Sequence, residues 1–179
     1  MENMEYKKVL ATILAELEKH NIPYAIVGAV AMGFWGVRRD TVDVDLLVKA
    51  VDREKVIAFM KGLGYDHLVA SNFADQFGHL IKEMGLVDFL YTKREQGIIE
   101  ESKAFKGLGD IDISVALPED IIAMKLDAIK NNPKREIRDW ADIQTIVEAL
   151  GDDLDWTKIR NYCKLLDMEE AYEKIFGFK

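Results

Sequence analysis

Apolar and polar residues alternate along the chain with two different periods, one typical of helices and one typical of strands. Between residues 4 and 20 the apolar residues recur every three or four positions, which predicts an amphipathic helix with one buried face. Asn21 and Pro23 follow it, and they predict its end because proline cannot continue a helix. A second amphipathic helix is predicted for "DREKVIAFMKGLG", with Asp52 as its N-cap and Gly62 or Gly64 as its C-terminal stop.

Short runs of β-branched and aliphatic residues predict the strands of a sheet. The first is "YAIVG", which is followed by a small, apolar stretch, "AVAMGFWG", predicted to be a closely packed helix. Further strands are predicted for "TVDVDLLV", "YDHLVAS", "QFGHLIKE", "LVDFLYT" and "IDISVAL". The segment "EQGIIEESKAFKGLGD" predicts a loop or a short helix followed by a turn.

From Pro118 onward the pattern is helical throughout. Three helices are predicted, over "PEDIIAMKLDAIKNN", "REIRDWADIQTIVEAL" and "DWTKIRNYCKLLDMEEAYEKIFG". Pro118 stands at the first helical position, where its missing N–H is not needed. The fold class is therefore α+β: a mixed α/β core over residues 1–117 and a helical C-terminal part over residues 118–179, packed as one compact unit. Since little helix separates the strands after Gly64, a small mixed or antiparallel sheet flanked by helices is expected.

The charge composition of the chain argues against some kinds of binding partner. The chain has 179 residues with 24 basic and 32 acidic side chains, and its formal net charge is −8. This balance argues against binding a polyanion over the whole surface and against docking on an anionic membrane. The one cysteine, Cys163, excludes an intrachain disulfide and is expected to be a packed thiol. The charged N-terminal segment is neither a signal peptide nor a membrane span, so a cytoplasmic location is predicted.

Two acids interrupt an apolar strand, in "TVDVDLLV". Asp43 and Asp45 point to the same side of that strand and lie about 6.6 Å apart along it. Asp88 is a third acid of this kind, between Val87 and Phe89 in another predicted strand. Carboxylates placed so close repel one another unless a cation lies between them, and hard divalent cations take oxygen ligands. The pattern indicates a Mg²⁺ site if the strands are neighbours; the alternative is that the acids merely face solvent.

The order of these motifs resembles that of the nucleotidyltransferase superfamily, which has the DNA polymerase β-like fold. In that signature an apolar residue, a glycine and a small residue precede a spacer and a pair of acids; here they are Val27, Gly28, Ala29, Asp43 and Asp45. The sequence is more similar to the minimal nucleotidyltransferases of the AbiEii toxin type, which share further positions over roughly residues 24–147. The matching positions here are Gly36, Arg39, Thr41, Pro118, Lys125, Arg138, Asp139 and Asp142.

The resemblance implies an enzyme that moves a nucleoside monophosphate from a nucleoside triphosphate to a hydroxyl acceptor by a two-metal, in-line mechanism. Asp43, Asp45 and Asp88 would be the catalytic, metal-binding residues, with Mg²⁺ or Mn²⁺ as cofactor. The nucleotide would be bound by these residues: Gly28, Ala29, Arg39, Thr41 and Lys125. Supporting roles would fall to Arg38, Arg138, Asp139 and Asp142.

Each of these residues could instead have a purely structural role. Arg38 and Arg39 could pair with nearby aspartates, and Lys125 could be an ordinary residue on the flank of a helix. Asp139 and Asp142 could be salt-bridge partners or charges at a helix N-terminus.

The partners are left open. The acceptor could be an RNA end, a protein or a small molecule, and a cognate partner protein is possible. The signature departs from the family at Ala29, which lacks the serine hydroxyl that donates to the nucleotide phosphates. An alternative is therefore an inactive nucleotide- or partner-binding module, as in a toxin–antitoxin-like pair. A purely structural α/β protein is the third hypothesis.

Overall fold

The computed structural model describes residues 5–93, 97–108 and 111–179. The chain divides into two compact units. The first unit comprises Met1–Ala31 and Arg39–Ala116, and the second comprises Met32–Arg38 and Leu117–Lys179. The expectation that residues 1–117 and 118–179 form one compact unit stays a prediction.

A seven-stranded mixed sheet forms the centre of the first unit, with the strand order β3-β4-β5-β2-β1-β7-β6. The strands are β1 (Tyr24–Val27), β2 (Asp43–Lys49), β3 (Tyr65–Ala70), β4 (Ala74–His79), β5 (Leu86–Thr92), β6 (Lys103–Leu108) and β7 (Ile111–Val115). β2 pairs with β5 in parallel and β1 pairs with β7 in parallel, whereas β1 and β2 are antiparallel. The predicted α+β class with a mixed sheet is confirmed.

Three helices accompany this sheet: α1 (Tyr6–Lys19), α2 (Gly28–Phe34) and α3 (Arg53–Gly62). α1 buries the predicted apolar face and ends at Lys19, just before Asn21, the residue expected to stop it, which has a positive φ of 51°. Met4, at the start of the predicted helix, lies outside the described residues. α2 begins directly at the end of β1, and Ala31 is its last residue in the first unit.

One predicted loop is a strand. The segment from Glu95 to Asp110 was expected to be a loop or short helix with a turn, but β6 occupies Lys103–Leu108 and pairs antiparallel with β7. The strand has little apolar alternation because it lies at the sheet edge, where Lys103 and Lys106 are exposed. The parts of this prediction that concern residues 95–96 and 109–110 lie outside the described residues.

The second unit is helical, with α4 (Pro118–Asn131), α5 (Glu136–Leu150), α6 (Trp156–Leu165) and α7 (Glu169–Phe176). The prediction of one continuous helix over residues 155–177 is wrong. The chain turns at Asp167, which has a φ of 51°, and the amide of Met168 donates to the carbonyl of Cys163 at 2.8 Å. This left-handed residue ends α6, although the apolar pattern continues across the break.

Cys163 is buried, as expected of a packed thiol. In the described part of the chain, no helix has the length and apolar character needed to cross a membrane. The predicted cytoplasmic location stays a prediction.

Candidate active site

The parallel pairing of β2 with β5 brings the three predicted acids together. Asp45 lies directly opposite Asp88 in this pair, and Asp43 lies two residues before Asp45 on the same face. Each of the three side chains offers a carboxylate oxygen, and these oxygens all lie within 4.8 Å of one another. We call Asp43, Asp45 and Asp88 the acidic cluster; all three are half-buried.

The glycine of the signature lies against this cluster. Gly28 has a φ of +66°, which favours glycine, and a Cβ atom built on it would lie 2.0 Å from Oδ2 of Asp45. No side chain fits there without moving the carboxylate. The glycine between β1 and α2 therefore makes room for the Asp45 side chain.

A hydrogen-bond chain from α1 reaches Asp43. The Tyr6 hydroxyl donates to the backbone carbonyl of Thr41, and the Thr41 hydroxyl donates to Oδ1 of Asp43. Burial raises the pKa of Tyr6, and the negative charges of Asp43 and Asp40 raise it further. The phenol therefore stays protonated and remains a donor at neutral pH.

Asp88 is held on its other side by Gln76, its partner residue in the antiparallel pair of β4 with β5. The Gln76 side chain hydrogen-bonds the Asp88 carboxylate, while Oδ1 of Asp88 is buried and has no hydrogen-bond partner among the described residues. Burial raises the pKa of Asp88; the Gln76 bond opposes this rise and the charge of Asp43 adds to it. An ionised Asp88 is thus disfavoured by its surroundings unless a positive charge is nearby.

These features fit a divalent cation. The acidic cluster presents oxygen ligands only, which suits Mg²⁺ or Mn²⁺. Within the described part of the chain, the buried Oδ1 of Asp88 lacks the hydrogen-bond partner that buried polar atoms usually have. A cation bound by the cluster would satisfy that oxygen and offset the repulsion among the three carboxylates.

The remaining predicted residues near the signature lie in different places. Ala29 is buried in the first turn of α2, with 4% of its surface exposed. Arg39 is half-buried and belongs to the first unit, whereas Arg38 is exposed and belongs to the second. Their nucleotide-binding and supporting roles stay predictions.

In the second unit, Lys125 lies in a buried ionic network. Its ammonium is 2.5 Å from Oδ2 of Asp142 and 3.5 Å from Oδ1 of Asp139, and only 8% of the Lys125 side chain is exposed. Asp139 also accepts a 2.8 Å hydrogen bond from Arg135. Burial raises the pKa of Asp139, but Arg135 and Lys125 outweigh it, so the net shift is downward. Arg138, the remaining predicted site residue of this unit, is exposed, and its supporting role stays a prediction.

Two residues near the acidic cluster were not found from the sequence: Gln76, which bonds Asp88, and Tyr6, which bonds Thr41. Gln76 and Tyr6 lie in a strand and a helix whose local patterns show nothing unusual. The signal for Gln76 would have been the register of β4 against β5, because that register places it opposite Asp88. For Tyr6 no signal existed, since its contact spans 35 residues of sequence.

The family comparison identifies the protein family of this chain. Residues 10–174 match the model of the family described as "Nucleotidyl transferase AbiEii toxin, Type IV TA system". The chain belongs to this family. The predicted recognition as an AbiEii-type nucleotidyltransferase, a transferase of phosphorus-containing groups, is confirmed. Among curated proteins, none matches the sequence.

Solved structures show the same fold at low sequence identity. The antibiotic-resistance factor ANT(2″)-Ia in solution is 16% identical, with a TM-score of 0.63, over 94% of this chain and 95% of that one. ANT(2″)-Ia in complex with adenylyl-2″-tobramycin gives a TM-score of 0.61 at 17% identity, over 94% and 97% of the two chains. The lincosamide antibiotic adenylyltransferase LnuA, bound to lincomycin, gives 0.53 at 18% identity, over 68% and 85%. These likenesses support the nucleotidyltransferase fold of this AbiEii family member.

Proposed function

We propose that this AbiEii family member is a Mg²⁺-dependent enzyme that transfers a nucleoside monophosphate from a nucleoside triphosphate to a hydroxyl acceptor. The observation that carries the proposal is the convergence of Asp43, Asp45 and Asp88, with carboxylate oxygens within 4.8 Å of one another. Family membership supplies the reaction class, and the donor set of the cluster supports the choice of cation.

In this proposal Asp43 and Asp45 hold the cation, and Asp88 serves both the cation and the acceptor. When bound, a divalent cation supplies positive charge for the triphosphate and for the attacking and leaving oxygens. The acceptor oxygen forms a bond to the α-phosphorus, the bond from that phosphorus to the bridging oxygen breaks, and pyrophosphate leaves with the electron pair. The Asp88 carboxylate, as part of the acidic cluster, would also accept the acceptor's proton.

The nucleotide-binding residues are proposed with the roles expected of the family. Gly28 and Ala29 would bring backbone N–H groups to the phosphates, and Arg39 would offset their charge. Lys125 is proposed as a further nucleotide-binding residue; its pairing with Asp142 and Asp139 equally supports a structural role within the second unit.

The acceptor is proposed only as a hydroxyl compound. ANT(2″)-Ia and LnuA have antibiotics in their described complexes, which makes a small molecule one candidate. An RNA end and a protein hydroxyl are the others, and a cognate antitoxin is the proposed partner protein because the family is described as part of a toxin–antitoxin system.

The second candidate function is a module that binds nucleotide or a partner without turnover. Ala29 favours it, since an alanine cannot supply the hydroxyl bond to the phosphates. The intact acidic cluster favours the enzyme, because binding of a partner would not require three convergent carboxylates.

The test is titration calorimetry with each nucleoside triphosphate, with and without Mg²⁺. The variant Asp43→Asn/Asp45→Asn removes two charges of the acidic cluster while keeping side-chain size. A matched control, Asp66→Asn/Asp112→Asn, removes two charges from exposed strand positions of the same unit.

We expect Mg²⁺-dependent binding of at least one triphosphate by the native chain and by the control, and its loss in the cluster variant. Binding that is identical in all three proteins would overturn the role of the acidic cluster. Binding without any release of pyrophosphate in the presence of candidate acceptors would favour the second function.

A further inference from the structure

The residue whose hydroxyl bonds Asp43 is itself held from α1. Oδ1 of Asp43 accepts a hydrogen bond from the Thr41 hydroxyl. Thr41 lies in the segment that enters β2, and its backbone carbonyl accepts the hydroxyl of Tyr6 at the start of α1. The chain of contacts therefore runs from helix to loop to carboxylate, entirely within the first unit.

We infer that Tyr6 is a positioning residue for the metal ligand Asp43 and acts through Thr41. The inference rests on the proposed function, since it presumes that the acidic cluster binds a divalent cation. It also assigns Thr41 a role different from nucleotide binding: its hydroxyl proton is committed to Oδ1 of Asp43. Tyr6 precedes residue 10, where the match to the family begins, so the family model assigns it nothing.

The geometry favours positioning over ordinary packing for three reasons. A hydroxyl that donates to one carboxylate oxygen restricts the rotation of the carboxylate and so helps to orient a metal ligand. Residues 37–42, the segment that carries Thr41, form no helix or strand. The Tyr6 bond spans 35 residues of sequence and so ties this loop to a regular element.

The hydrogen bond that a neighbouring residue makes to a metal-binding side chain affects metal affinity measurably. Loss of such a partner lowers metal affinity by about 10- to 100-fold in characterised sites. Thr41 contacts the ligand directly, so Thr41→Val, which removes the hydroxyl and keeps the shape, should fall in this range. Tyr6 acts one step further away, so we expect a smaller loss, about threefold to tenfold, for Tyr6→Phe.

The experiment measures Mn²⁺ binding to the full chain without nucleotide, by electron paramagnetic resonance of free Mn²⁺. The chain offers a matched control: the Tyr65 hydroxyl also donates to a backbone carbonyl of the first unit, that of Met84, at 2.9 Å. Tyr65→Phe removes the same kind of bond away from the acidic cluster. The unfolding free energy of every variant is measured beside its Mn²⁺ affinity.

We expect Tyr6→Phe and Thr41→Val to weaken Mn²⁺ binding, Thr41→Ser to restore it, and Tyr65→Phe to leave it unchanged even if it unfolds more easily. Native affinity in Tyr6→Phe, with Asp43→Asn deficient, would overturn this inference and leave the proposed function standing. Equal losses in Tyr6→Phe and Tyr65→Phe would also overturn it, because they would show a general effect of stability. Absence of Mn²⁺ binding by the native chain would overturn the metal-dependent function and this inference together.

Discussion

Gly28→Ala should disturb both the stability of the protein and its acidic cluster. The new methyl group would lie 2.0 Å from Oδ2 of Asp45, whereas ordinary contact begins at 3.4 Å. The carboxylate must therefore retreat by about 1.4 Å, the difference of these two distances. A displacement of this size is large compared with the tolerance of metal coordination, which is on the order of 0.2 Å.

Two terms contribute to the loss of stability. An alanine at the φ of +66° found at Gly28 adopts a left-handed conformation, which costs about 1–2 kcal/mol. Forcing a methyl group into occupied space costs about 1–3 kcal/mol more. We therefore expect the unfolding free energy to fall by about 2–5 kcal/mol, as measured by urea denaturation.

Alanine substitutions at two other glycines separate the conformational cost from the steric cost. Gly36 has a φ of +83° with nothing within 4 Å of a built Cβ, so Gly36→Ala should show only the conformational cost of about 1–2 kcal/mol. Gly33 lies in α2 with nothing within 4 Å and no left-handed φ, so Gly33→Ala should not destabilise the fold.

Mn²⁺ binding completes the test of Gly28→Ala. We expect the folded variant to bind Mn²⁺ at least tenfold more weakly than the native chain, since Asp45 no longer occupies its place. Gly33→Ala should bind as the native chain does. Native stability and native Mn²⁺ affinity in Gly28→Ala would refute the reasoning, because they would show that Asp45 does not need this space.

Two further predictions concern charged groups outside the acidic cluster. Lys125→Met removes the ammonium that two buried carboxylates share, so it should lower the unfolding free energy by about 3–5 kcal/mol. The control Lys130→Met breaks an exposed ion pair and should change the unfolding free energy by less than about 1 kcal/mol. Burial raises the pKa of Asp75, but the hydrogen bonds from Arg53 and its other partners outweigh this, so the pKa lies below the unfolded value of 3.8. The stability that the ionised Asp75 contributes is complete above pH 3.8 and is lost as the pH falls through the folded pKa. The unfolding free energy of Arg53→Met, measured against pH, should therefore fall less steeply in acid than that of the native chain. An unchanged slope would contradict the assignment.

The elements that local pattern predicts well are those whose burial follows one period. α1 buries Val9, Ile13 and Leu17 on a single face, and its end just before Asn21 was visible in the sequence. β6 was missed because its pairing with β7, and not its own composition, makes it a strand. The break at Asp167 was missed because a left-handed backbone can be adopted by a polar residue inside an otherwise continuous helical pattern.

The acids of the cluster could be predicted because a carboxylate within an apolar strand is costly and so stands out. Asp43, Asp45 and Asp88 are such anomalies, and their convergence needed only that β2 and β5 be neighbours. The groups that hold them could not be predicted in the same way. Tyr6 and Gln76 are ordinary residues in sequence, and only contacts between distant segments bring Gln76 to Asp88 and Tyr6 to Thr41.

The residues of the family signature separate into two sets once their contacts are known. Gly28 and Thr41 were expected to serve the nucleotide, yet each lies against an acid: Gly28 against Asp45 and Thr41 against Asp43. We therefore expect both residues to shape the acidic cluster whether or not nucleotide is bound, while their predicted nucleotide contacts stay a prediction. Ala29 has no hydroxyl to donate either to an acid of the cluster or to a phosphate. Cation binding should consequently be independent of Ala29, and any weakness that it introduces should appear only when the triphosphate binds.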